Sequence, residues 1–273
     1  MTAVRAVPVT RLSAAGRVAD DDEVVVEEPL AIRVGGETLA VTMRTPGHDR
    51  ELALGFLWAE GIIGSLADVA AVAHCGRTGD EGRANTLEVT PAPGARLRLP
   101  DDDAVRRGTL VTSACGVCGR RAIDDLLARC GPVRRAGSLA PAVIAAAFDA
   151  LRATQAVFAR TGGCHGAALV TFAGAHVATF EDVGRHNAVD KLIGSRLLAG
   201  ELPLDHHVLA VSGRTSFEIV QKAAAAGVPV VAGISAASSL AVDVARRAGV
   251  TLVGFARGGS CVVYTGAEAL SEG

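Results

Sequence analysis

The sequence is poor in aromatic residues. Aromatic side chains make up only 3% of the 273 residues, whereas apolar residues as a whole make up 49%. The core is therefore expected to consist mainly of alanine, valine and leucine. A chain of this length can bury a sizeable core, either as one large domain or as two small ones.

The chain also lacks an excess of charge and a long apolar run. Its formal net charge is −2, so no overall field attracts nucleic acid, and a polyanionic ligand would need local arginines. No stretch of about 18 apolar residues is free of charges, which argues against a membrane span. The N-terminus has no apolar core of the length that a signal peptide needs. We therefore expect a cytoplasmic protein with neither nucleic acid nor a membrane as its partner.

Cysteines are few for this length, and only two of them are close in sequence. The six are Cys75, Cys115, Cys118, Cys130, Cys164 and Cys261. This spacing does not indicate a disulfide framework and is typical of a reducing compartment with one working pair. We expect Cys130 and Cys261 to be small, buried apolar residues.

Three parts of the chain differ in composition. Residues 1–22 are typical of a flexible, solvated N-terminal arm, which runs into the acidic stretch 20–23. Residues 23–111 are predicted to be rich in β-structure. Residues 112–273 are predicted to form an α/β domain with the cysteine loop and the candidate ligand site, although residues 23–273 could form one continuous domain.

Local patterns predict the elements of the first half. β-branched runs over 24–44 flank a Gly-Gly turn and predict a hairpin, and an amphipathic helix follows. Short strands are predicted over 85–90 and 95–100. Helices are predicted over 122–130 and, beginning near Pro141, over 141–160.

Strands alternate with helices after residue 165. This alternation predicts an α/β fold, with helices layered on a largely parallel sheet. Three of the loops that follow strands enter helices with polar residues that can cap them. The candidates are Asn187, Thr215 with Glu218, and Ser238 or Ser239.

These junctions could bind an anion. Ligands of open α/β sheets bind at the carboxyl ends of strands, where helix N-termini offer free N–H groups. Arg185, Arg214 and Arg257 lie in or beside the glycine-containing loops, as do Ser212 and Gly213. Together they could hold a phosphorylated ligand. Ordinary helix capping with surface arginines is the alternative, because none of the loops is a full phosphate-binding motif.

Cys164 and His165 follow a Gly-Gly pair. A neighbouring thiol and imidazole could bind a metal or activate a thiolate. Adjacent residues of an extended segment point to opposite sides, however, so one of the two is expected to be structural.

The stretch "TSACGVCGRR" contains the close pair, Cys115 and Cys118. Such a pair can ligate a metal, exchange disulfides or carry a sulfur atom. A structural zinc site needs four ligands, usually two pairs, and the chain has one C-x-x-C. The zinc deaminases combine P-C-x-x-C with H-x-E, whereas Ala114 precedes this pair and H-x-E is absent.

The surroundings of the pair favour a reactive thiol. Gly116 and Gly119 permit backbone geometries closed to other residues, which would leave the sulfurs accessible. Arg120 and Arg121 would help to keep a thiolate ionised and nucleophilic. A mobile, exposed thiolate is suited to receiving a sulfur atom from one partner and delivering it to another.

Six blocks of the chain, in order, resemble those of the FdhD family of formate dehydrogenase accessory sulfurtransferases. They are "SACGVCG", "TGGCHGAAL", "EDVGRHNAVDKLIG", "SGRTSFEIVQKA", "GVPVVAGISAASSLAV" and "GFARGG" followed by "VYTG". The resemblance extends from about residue 25 to 266. It implies a cytidine-deaminase-like fold without the deaminase zinc, in agreement with the missing H-x-E.

The resemblance also implies a function. Members accept a persulfide sulfur from a cysteine desulfurase and pass it to the molybdenum of a bis(molybdopterin guanine dinucleotide) cofactor, before that cofactor enters formate dehydrogenase. A tungsten cofactor would present nearly the same surface. The resemblance implies a homodimer, and closed symmetry makes such dimers common.

Site residues are carried over block by block. Cys115 matches the persulfide cysteine, and Cys118 matches the second thiol. The guanine nucleotide ends are implied to bind in the C-terminal half, where the best-matched block contains Phe255, Ala256, Arg257, Gly258, Gly259 and Ser260. The block departs from the family where members often have asparagine, at Val262, and charged residues, at Gly259 and Ser260.

Two further functions remain open from the sequence. The protein could be a chaperone that binds the molybdenum cofactor, with the cysteines gripping the metal and no sulfur transfer. It could also be a zinc-stabilised nucleotide-binding protein.

Overall fold

The computed structural model describes residues 2–75, 83–99, 124, 127–128 and 131–271. The cysteine pair at 115 and 118 lies outside these residues, as does Cys130. Most of the helix predicted over 122–130 also lies outside them.

The N-terminus forms a hairpin of two long strands. Strand β1 (Val4–Ser13) pairs with β2 (Gly16–Val25) in an antiparallel register. Residues 1–22, predicted to be a flexible, solvated arm, therefore contain regular β-structure, and most of their side chains are exposed as expected. β-branched residues on both sides of a turn at Gly16, whose φ is 120°, are the hairpin signal that the acidic composition obscured.

A four-stranded sheet follows, with the order β4-β3-β6-β5. Its strands are β3 (Glu28–Val34), β4 (Glu37–Arg44), β5 (Val69–His74) and β6 (Thr86–Pro91). The predicted hairpin over 24–44 is confirmed: Gly35 and Gly36 both have positive φ, as its tight turn requires. The strand predicted over 85–90 is confirmed, but residues 95–99 form no strand.

Helix α1 (Asp49–Ala59) covers this sheet, as the amphipathic pattern predicted. Its buried face includes Leu52, Leu54 and Leu57, which pack with Leu30 and Ile32 of β3. Short 3₁₀ turns occur at Leu66–Asp68, Arg83–Asn85 and Ala267–Ala269.

A third sheet has six strands in the order β12-β11-β10-β9-β7-β8. They are β7 (His165–Thr171), β8 (His176–Asp182), β9 (His207–Val211), β10 (Val230–Gly233), β11 (Thr251–Arg257) and β12 (Ser260–Thr265). Only β9, β10 and β11 run parallel. The sheet is thus mixed rather than largely parallel, because short turns join β7 to β8 and β11 to β12 and force antiparallel pairing.

Helices cover both faces of the six-stranded sheet. They are α2 (Ala142–Thr154), which is followed by the short α3 (Ala156–Thr161) beside β2, and α4 (Arg185–Ala199), α5 (Phe217–Ala225) and α6 (Ser239–Ala248). Helices α4, α5 and α6 pack with Leu209 and Val231 on one face. Helix α2 packs with their sequence neighbours Val208 and Val230 on the other face. The predicted α/β class is confirmed.

The two halves are joined by a close helix crossing. Helix α1 packs on α4 at Gly55 and Gly194. The buried carboxylate of Asp182, at the end of β8, adds a polar link, because it accepts a hydrogen bond from the backbone N–H of Thr45. The segment between β8 and α4 is therefore held in place by contacts with both the four-stranded and the six-stranded sheet.

Candidate functional site

The parallel strands β9, β10 and β11 end at one edge of the sheet. Val211 of β9 pairs with Gly233 of β10, and Ala232 pairs with Val253 of β11, so the pairing among the three strands ends at nearly the same level, while β11 continues to Arg257. Ser212, Gly213 and Arg214 follow β9, while Phe255–Ser260 spans the end of β11 and the turn into β12. The structure thus brings the two candidate segments to the same edge, where ligands of such sheets bind.

Backbone hydrogen bonds tie the loops of this edge together. The N–H of Thr215 donates to the carbonyl of Ala236, and the N–H of Ser238 donates to the carbonyl of Thr215. The N–H of Phe255 donates to the carbonyl of Ser235. The loops after β9, β10 and β11 therefore form one continuous surface, which we call the strand edge.

Arg185 reaches the strand edge from the first turn of α4. The helix begins after Gly184, whose backbone is extended and makes no side-chain cap. A Cβ built on Gly213 would be 3.5 Å from Cδ of Arg185, so the arginine side chain lies beside the loop after β9. Its Nε atom is buried and has no hydrogen-bond partner among the described residues.

The prediction that Asn187 caps α4 is wrong. Its amide is buried inside the first turn and donates to the carbonyl of Met43 (2.8 Å) and to Oδ1 of Asp182 (3.0 Å). Asn187 therefore links α4 to strand β4. Its position in the helix is explained by this contact with β4, whereas helix propensity alone suggested a cap.

A buried ion pair fixes the segment between β8 and α4. Nζ of Lys191 lies 2.7 Å from Oδ2 of Asp182, and both side chains are almost fully buried. The same carboxylate accepts from the N–H groups of Thr45 and Gly184. Because every partner is fixed by the fold, this network holds the chain that leads directly to Arg185.

Helix α5 begins at the strand edge next to α4. Its first residue follows Ser216, whose side chain makes no capping hydrogen bond. The predicted capping box of Thr215 and Glu218 is therefore wrong. Thr215 is fully buried, and its hydroxyl has no partner in the described chain. The cap predicted for α6 is confirmed, since Oγ of Ser238 accepts from the N–H of Ala241.

Two histidines flank Arg185. Nδ1 of His165 lies 3.4 Å from Oγ of Ser212, and Nε2 of His186 lies 3.2 Å from Oγ of Ser216. Burial, and then the charge of Arg185, lower the pKa of both imidazoles, that of His186 to about 4. Both histidines are therefore neutral near pH 7.

His186 and Ser216 were not among the residues selected from the sequence. His186 directly follows Arg185 in the block "EDVGRHNAVDKLIG", but its proximity to the start of α5 depends on how two helices pack. Lys222 of α5 completes the surroundings, and its Nζ lies 2.7 Å from Oδ1 of the buried Asp190. Burial raises the pKa of Asp190 to about 6, against the opposing effect of Lys222.

The turn between β11 and β12 presents an exposed aromatic ring. Phe255 has a positive φ of 51°, and the strand register shifts between Gly254 and Arg257. Such a bulge re-aims a side chain, and the ring of Phe255 is 39% exposed. Ala256 is buried, whereas the glycine pair at 258–259 takes the positive φ angles of a tight turn.

Arg257 and Arg214 are exposed, in contrast to Arg185. Oγ of Ser260 donates to the carbonyl of Arg257 and closes the turn. Val262, at the position where relatives often have a polar residue, is 46% exposed on β12. All ten predicted ligand residues therefore lie at the strand edge or in the turn beside it.

Cys164 is not an activated thiol. Sγ of Cys164 donates to Oε1 of Glu181 at 3.2 Å, on the side of the segment away from the His165 ring contact. Burial and this carboxylate raise the pKa of Cys164 to about 12, so the thiol is protonated. Cys261 is exposed, and its predicted burial is wrong because it lies on the edge strand β12.

A separate cavity of about 470 Å³ opens beside the start of α1. It is lined by Gly47, His48, Asp49, Arg50, Glu51, Val72, Ala73, His74 and Leu87. The carboxylate of Asp49 already pairs with buried Arg44, and Nε2 of His74 lies 3.4 Å from it. We place the candidate site at the strand edge instead, because buried polar atoms there lack partners.

Two further properties concern the described part of the chain. It contains no group of three or more His, Cys, Asp or Glu residues that could hold a metal ion. None of its helices has the length and apolar character needed to cross a membrane.

Comparison with known proteins identifies the family. The pattern that defines the FdhD/NarQ family matches residues 25–271. The chain belongs to the FdhD/NarQ family. The resemblance seen in the sequence is thereby confirmed, and the match begins at the last residue of the N-terminal hairpin.

Several FdhD/NarQ relatives are closely similar. "Sulfur carrier protein FdhD" of Anaeromyxobacter dehalogenans (strain 2CP-1) is 55% identical over 256 residues, which cover 91% of this chain and 88% of the relative. The protein of that name from Nocardia farcinica is 48% identical over 264 residues, with coverages of 96% and 93%.

A solved structure has the same fold. The crystal structure of a protein from Desulfotalea psychrophila, described as a formate dehydrogenase accessory protein, matches with a TM-score of 0.78. The match covers 99% of this chain and 100% of the other, at 23% sequence identity. This chain therefore shares its mixed α/β architecture with that protein.

Proposed function

We propose that this protein carries sulfur during the maturation of formate dehydrogenase in the cytoplasm. It would accept a persulfide sulfur from a cysteine desulfurase and deliver it to the molybdenum of a bis(molybdopterin guanine dinucleotide) cofactor, which is its substrate. The observation that carries the proposal is the glycine-flanked C-x-x-C pair in a chain whose relatives are named sulfur carriers. The proposal includes a cytidine-deaminase-like fold and a homodimer.

The first step is an exchange at sulfur. The Cys115 thiolate attacks the terminal sulfur of the desulfurase persulfide, R–S–SH. The S–S bond of that persulfide breaks, the desulfurase leaves as its thiolate, and Cys115 becomes a persulfide. Arg120 and Arg121 favour the attacking thiolate through their positive charge.

The second step must release sulfur at the oxidation level of sulfide. Attack of the Cys118 thiolate on the Cys115 sulfur breaks the persulfide bond and forms a Cys115–Cys118 disulfide. The leaving group is hydrosulfide, which would replace an oxygen ligand of the metal, and that oxygen would leave as hydroxide. A cellular dithiol then reduces the disulfide, so that the two electrons of the cycle come from that dithiol.

The strand edge is suited to the nucleotide ends of the substrate. Strands β9 and β11 are separated by one strand, so their ends lie about 10 Å apart. The exposed ring of Phe255 can stack on a guanine base at one end. Arg185 and the loop after β9 offer positive charge and N–H groups at the other end.

The covalent reach of the chain is compatible with delivery to this edge. Oδ1 of Asp124 pairs with Nη2 of Arg247, near the C-terminal end of α6. Helix α6 has 10 residues and is about 15 Å long, with its N-terminus at the strand edge. Asp124 is nine positions after Cys115, and nine steps of the chain can span about 30 Å.

Sulfur loading tests the proposal directly. The full chain is incubated with a cysteine desulfurase and ³⁵S-labelled cysteine, and its intact mass is measured before and after reduction. We expect a gain of one labelled sulfur that reduction removes and that is lost in Cys115→Ala. Cys164→Ala is the matched control, and it should load normally because its thiol is buried and protonated.

The alternatives predict different results. Full activation of formate dehydrogenase by the double variant Cys115→Ala, Cys118→Ala would favour a cofactor chaperone without sulfur transfer. One zinc per chain, removable only by unfolding, would favour the zinc-stabilised nucleotide-binding protein. The proposed homodimer is tested by light scattering of the full chain.

A further inference from the structure

We propose that a basic surface at the C-terminal end of α6 docks an acidic surface of the protein that donates the sulfur. This surface consists of Arg134, Arg135, Arg246 and Arg247, and we call it the arginine face. The inference rests on the proposed function for the identity of the donor, an enzyme that bears a persulfide. It deepens that function by giving the donor a place on this chain that is separate from the strand edge.

Backbone contacts between two segments assemble the arginine face. The N–H of Val133 donates to the carbonyl of Ala248 at 2.8 Å, and the Val133 side chain packs against the buried cluster that includes α6. Arg134 directly follows Val133, and Arg247 directly precedes Ala248. The Cα atoms of these two arginines are therefore no more than about 15 Å apart, because each step along the chain adds about 3.8 Å.

Positive charge is concentrated here, although the whole chain is slightly acidic. Residues 120–135 contain five arginines and two aspartates, whereas the complete chain has a formal net charge of −2. Arg134 and Arg135 are exposed, and neither forms an ion pair with any residue that the structure describes. Their charges are therefore available to a partner.

Three carboxylates lie beside the arginine face. Nη1 of Arg246 is 3.5 Å from Oδ1 of Asp243, and both side chains are largely exposed. Nη2 of Arg247 is 2.6 Å from Oδ1 of Asp124, with both side chains half exposed. Asp205 is joined to the segment after Arg135 by a backbone hydrogen bond, and its carboxylate contacts an exposed histidine. Exposed ion pairs contribute little to stability, so carboxylates of a partner can compete for these arginines.

The arginine face adjoins the chain that leads from the cysteine pair. Asp124 contacts Arg247, and Leu127 packs against the same buried cluster as Val133. Cys115 is nine positions before Asp124, so its reach from this anchor is about 30 Å. A donor docked on the arginine face can therefore present its persulfide to Cys115 while the anchor stays in place.

The position of the arginine face favours the sulfur donor as its occupant. Arg246 and Arg247 lie in the last turn of α6, whose N-terminus is at the strand edge about 15 Å away. Since the strand edge is proposed to hold the nucleotide ends of the substrate, a donor at the other end of α6 leaves them undisturbed. Carboxylates are the complementary chemistry, because a guanidinium binds them in a bidentate, charge-assisted manner.

Rates of sulfur loading from two donors test the arginine face. The full chain is loaded from a cysteine desulfurase with cysteine, or from cysteine persulfide alone, and the intact mass is followed with time. In both reactions the Cys115 thiolate attacks the terminal sulfur, and the donor leaves as its thiolate. The double variant Arg134→Glu, Arg135→Glu should load at least about tenfold more slowly from the desulfurase, because complementary charges accelerate association. Its loading from cysteine persulfide should stay within about twofold of the wild-type rate, since a small donor needs no docking.

The matched control is Arg5→Glu, Arg17→Glu, at two exposed arginines of the N-terminal hairpin. It changes the net charge by the same amount, and it should load normally from both donors. Raising sodium chloride from about 50 mM to about 300 mM should slow desulfurase loading of the wild type and of this control. The loading of Arg134→Glu, Arg135→Glu should respond less to salt, because the attraction that salt screens has been removed.

Four outcomes would overturn the arginine face: an unchanged desulfurase rate in Arg134→Glu, Arg135→Glu, an equal loss in the hairpin control, an equal loss with both donors, or a wild type that loads from cysteine persulfide alone. The last outcome would leave sulfur carriage by Cys115 in place, so it differs from failure of the proposed function, in which the wild type loads from neither donor. Circular dichroism checks folding. Arg134→Gln, Arg135→Gln replaces the glutamate variant if that variant does not fold, and it should show a smaller loss in the same direction.

Discussion

Gly194 of α4 lies directly against Gly55 of α1. A Cβ built on Gly194 would be 2.8 Å from the backbone nitrogen of Gly55 and 1.9 Å from the carbonyl oxygen of Glu51. A Cβ on Gly55 would be 1.9 Å from the carbonyl oxygen of Asp190. The two backbones therefore touch, and no other residue type fits at either position without moving a helix.

Gly194→Ala is expected to destabilise the protein by more than about 2 kcal/mol, since overpacking forces backbone shifts. The sign of this change in unfolding free energy is informative, because alanine in place of glycine inside a helix normally stabilises by up to about 1 kcal/mol. Urea denaturation of both proteins measures the difference. Gly64→Ala, where a Cβ has room, should stay near the wild-type value, and a stabilised Gly194→Ala would show that the helices do not touch here.

Lys191→Met should cost about 3–5 kcal/mol of unfolding free energy. The substitution leaves the Asp182 carboxylate buried without its cation, which is the expensive way to break a buried ion pair. Denaturant unfolding measures the loss. The exposed pair of Arg246 and Asp243 provides the control, as Arg246→Met should change stability by no more than about 0.5 kcal/mol. A comparable effect of the two variants would contradict the network.

Lowering the pH should destabilise the wild type more than it destabilises the His186→Gln variant. The pKa of His186 is lowered from 6.5 to about 4 in the folded state. Between these values the unfolded state binds more protons, so this histidine's contribution to stability is lost as the pH falls. The raised pKa of Asp190 acts in the opposite direction, but both proteins share it.

The measurement for His186 is the difference in unfolding free energy between wild type and His186→Gln at several pH values from 7 to 4. As the pH falls, the unfolding free energy of the wild type should decrease more than that of His186→Gln. His206→Gln, at an exposed histidine, serves for comparison. A difference that stays constant across this range would mean that His186 is not held neutral.

Cys164 should resist alkylation in the native protein. Its thiol is buried, donates to Glu181 and has a pKa raised to about 12, so little thiolate forms at pH 8. Brief treatment with iodoacetamide, followed by peptide mapping, should modify exposed Cys261 and leave Cys164 free. In urea both should react, and rapid native labelling of Cys164 would refute its structural role.

The sequence predicted the strand edge better than the contacts that organise it. Strand–helix alternation and glycine-rich turns are local signals, and they located Gly213, Arg185 and the turn at 258–259. The burial of Lys191 and Asn187 could not be read in this way, since both look like surface residues of a helix. Their partners, Thr45 and Met43, lie more than 140 positions away in the chain.

The errors have physical causes of the same kind. Residues 95–99 have the alternation of a strand but no neighbouring strand to pair with in the described chain. Thr215 and Glu218 have the spacing of a capping box, yet a parallel bridge between Thr215 and Ala237 directs the threonine into the interior. Local pattern gives the propensity of a segment, and tertiary pairing decides whether that propensity is used.

The link from Thr45 to the end of β8 determines what a shortened protein could do. The Thr45 hydroxyl accepts from the N–H of Val183, and its amide donates to Asp182, two and three positions before Arg185. A fragment starting at residue 112 would lose this brace together with α1, and Arg185 would lose its fixed position. On the ribosome Thr45 and α1 are synthesised first, and the brace can close only after β8 has followed them.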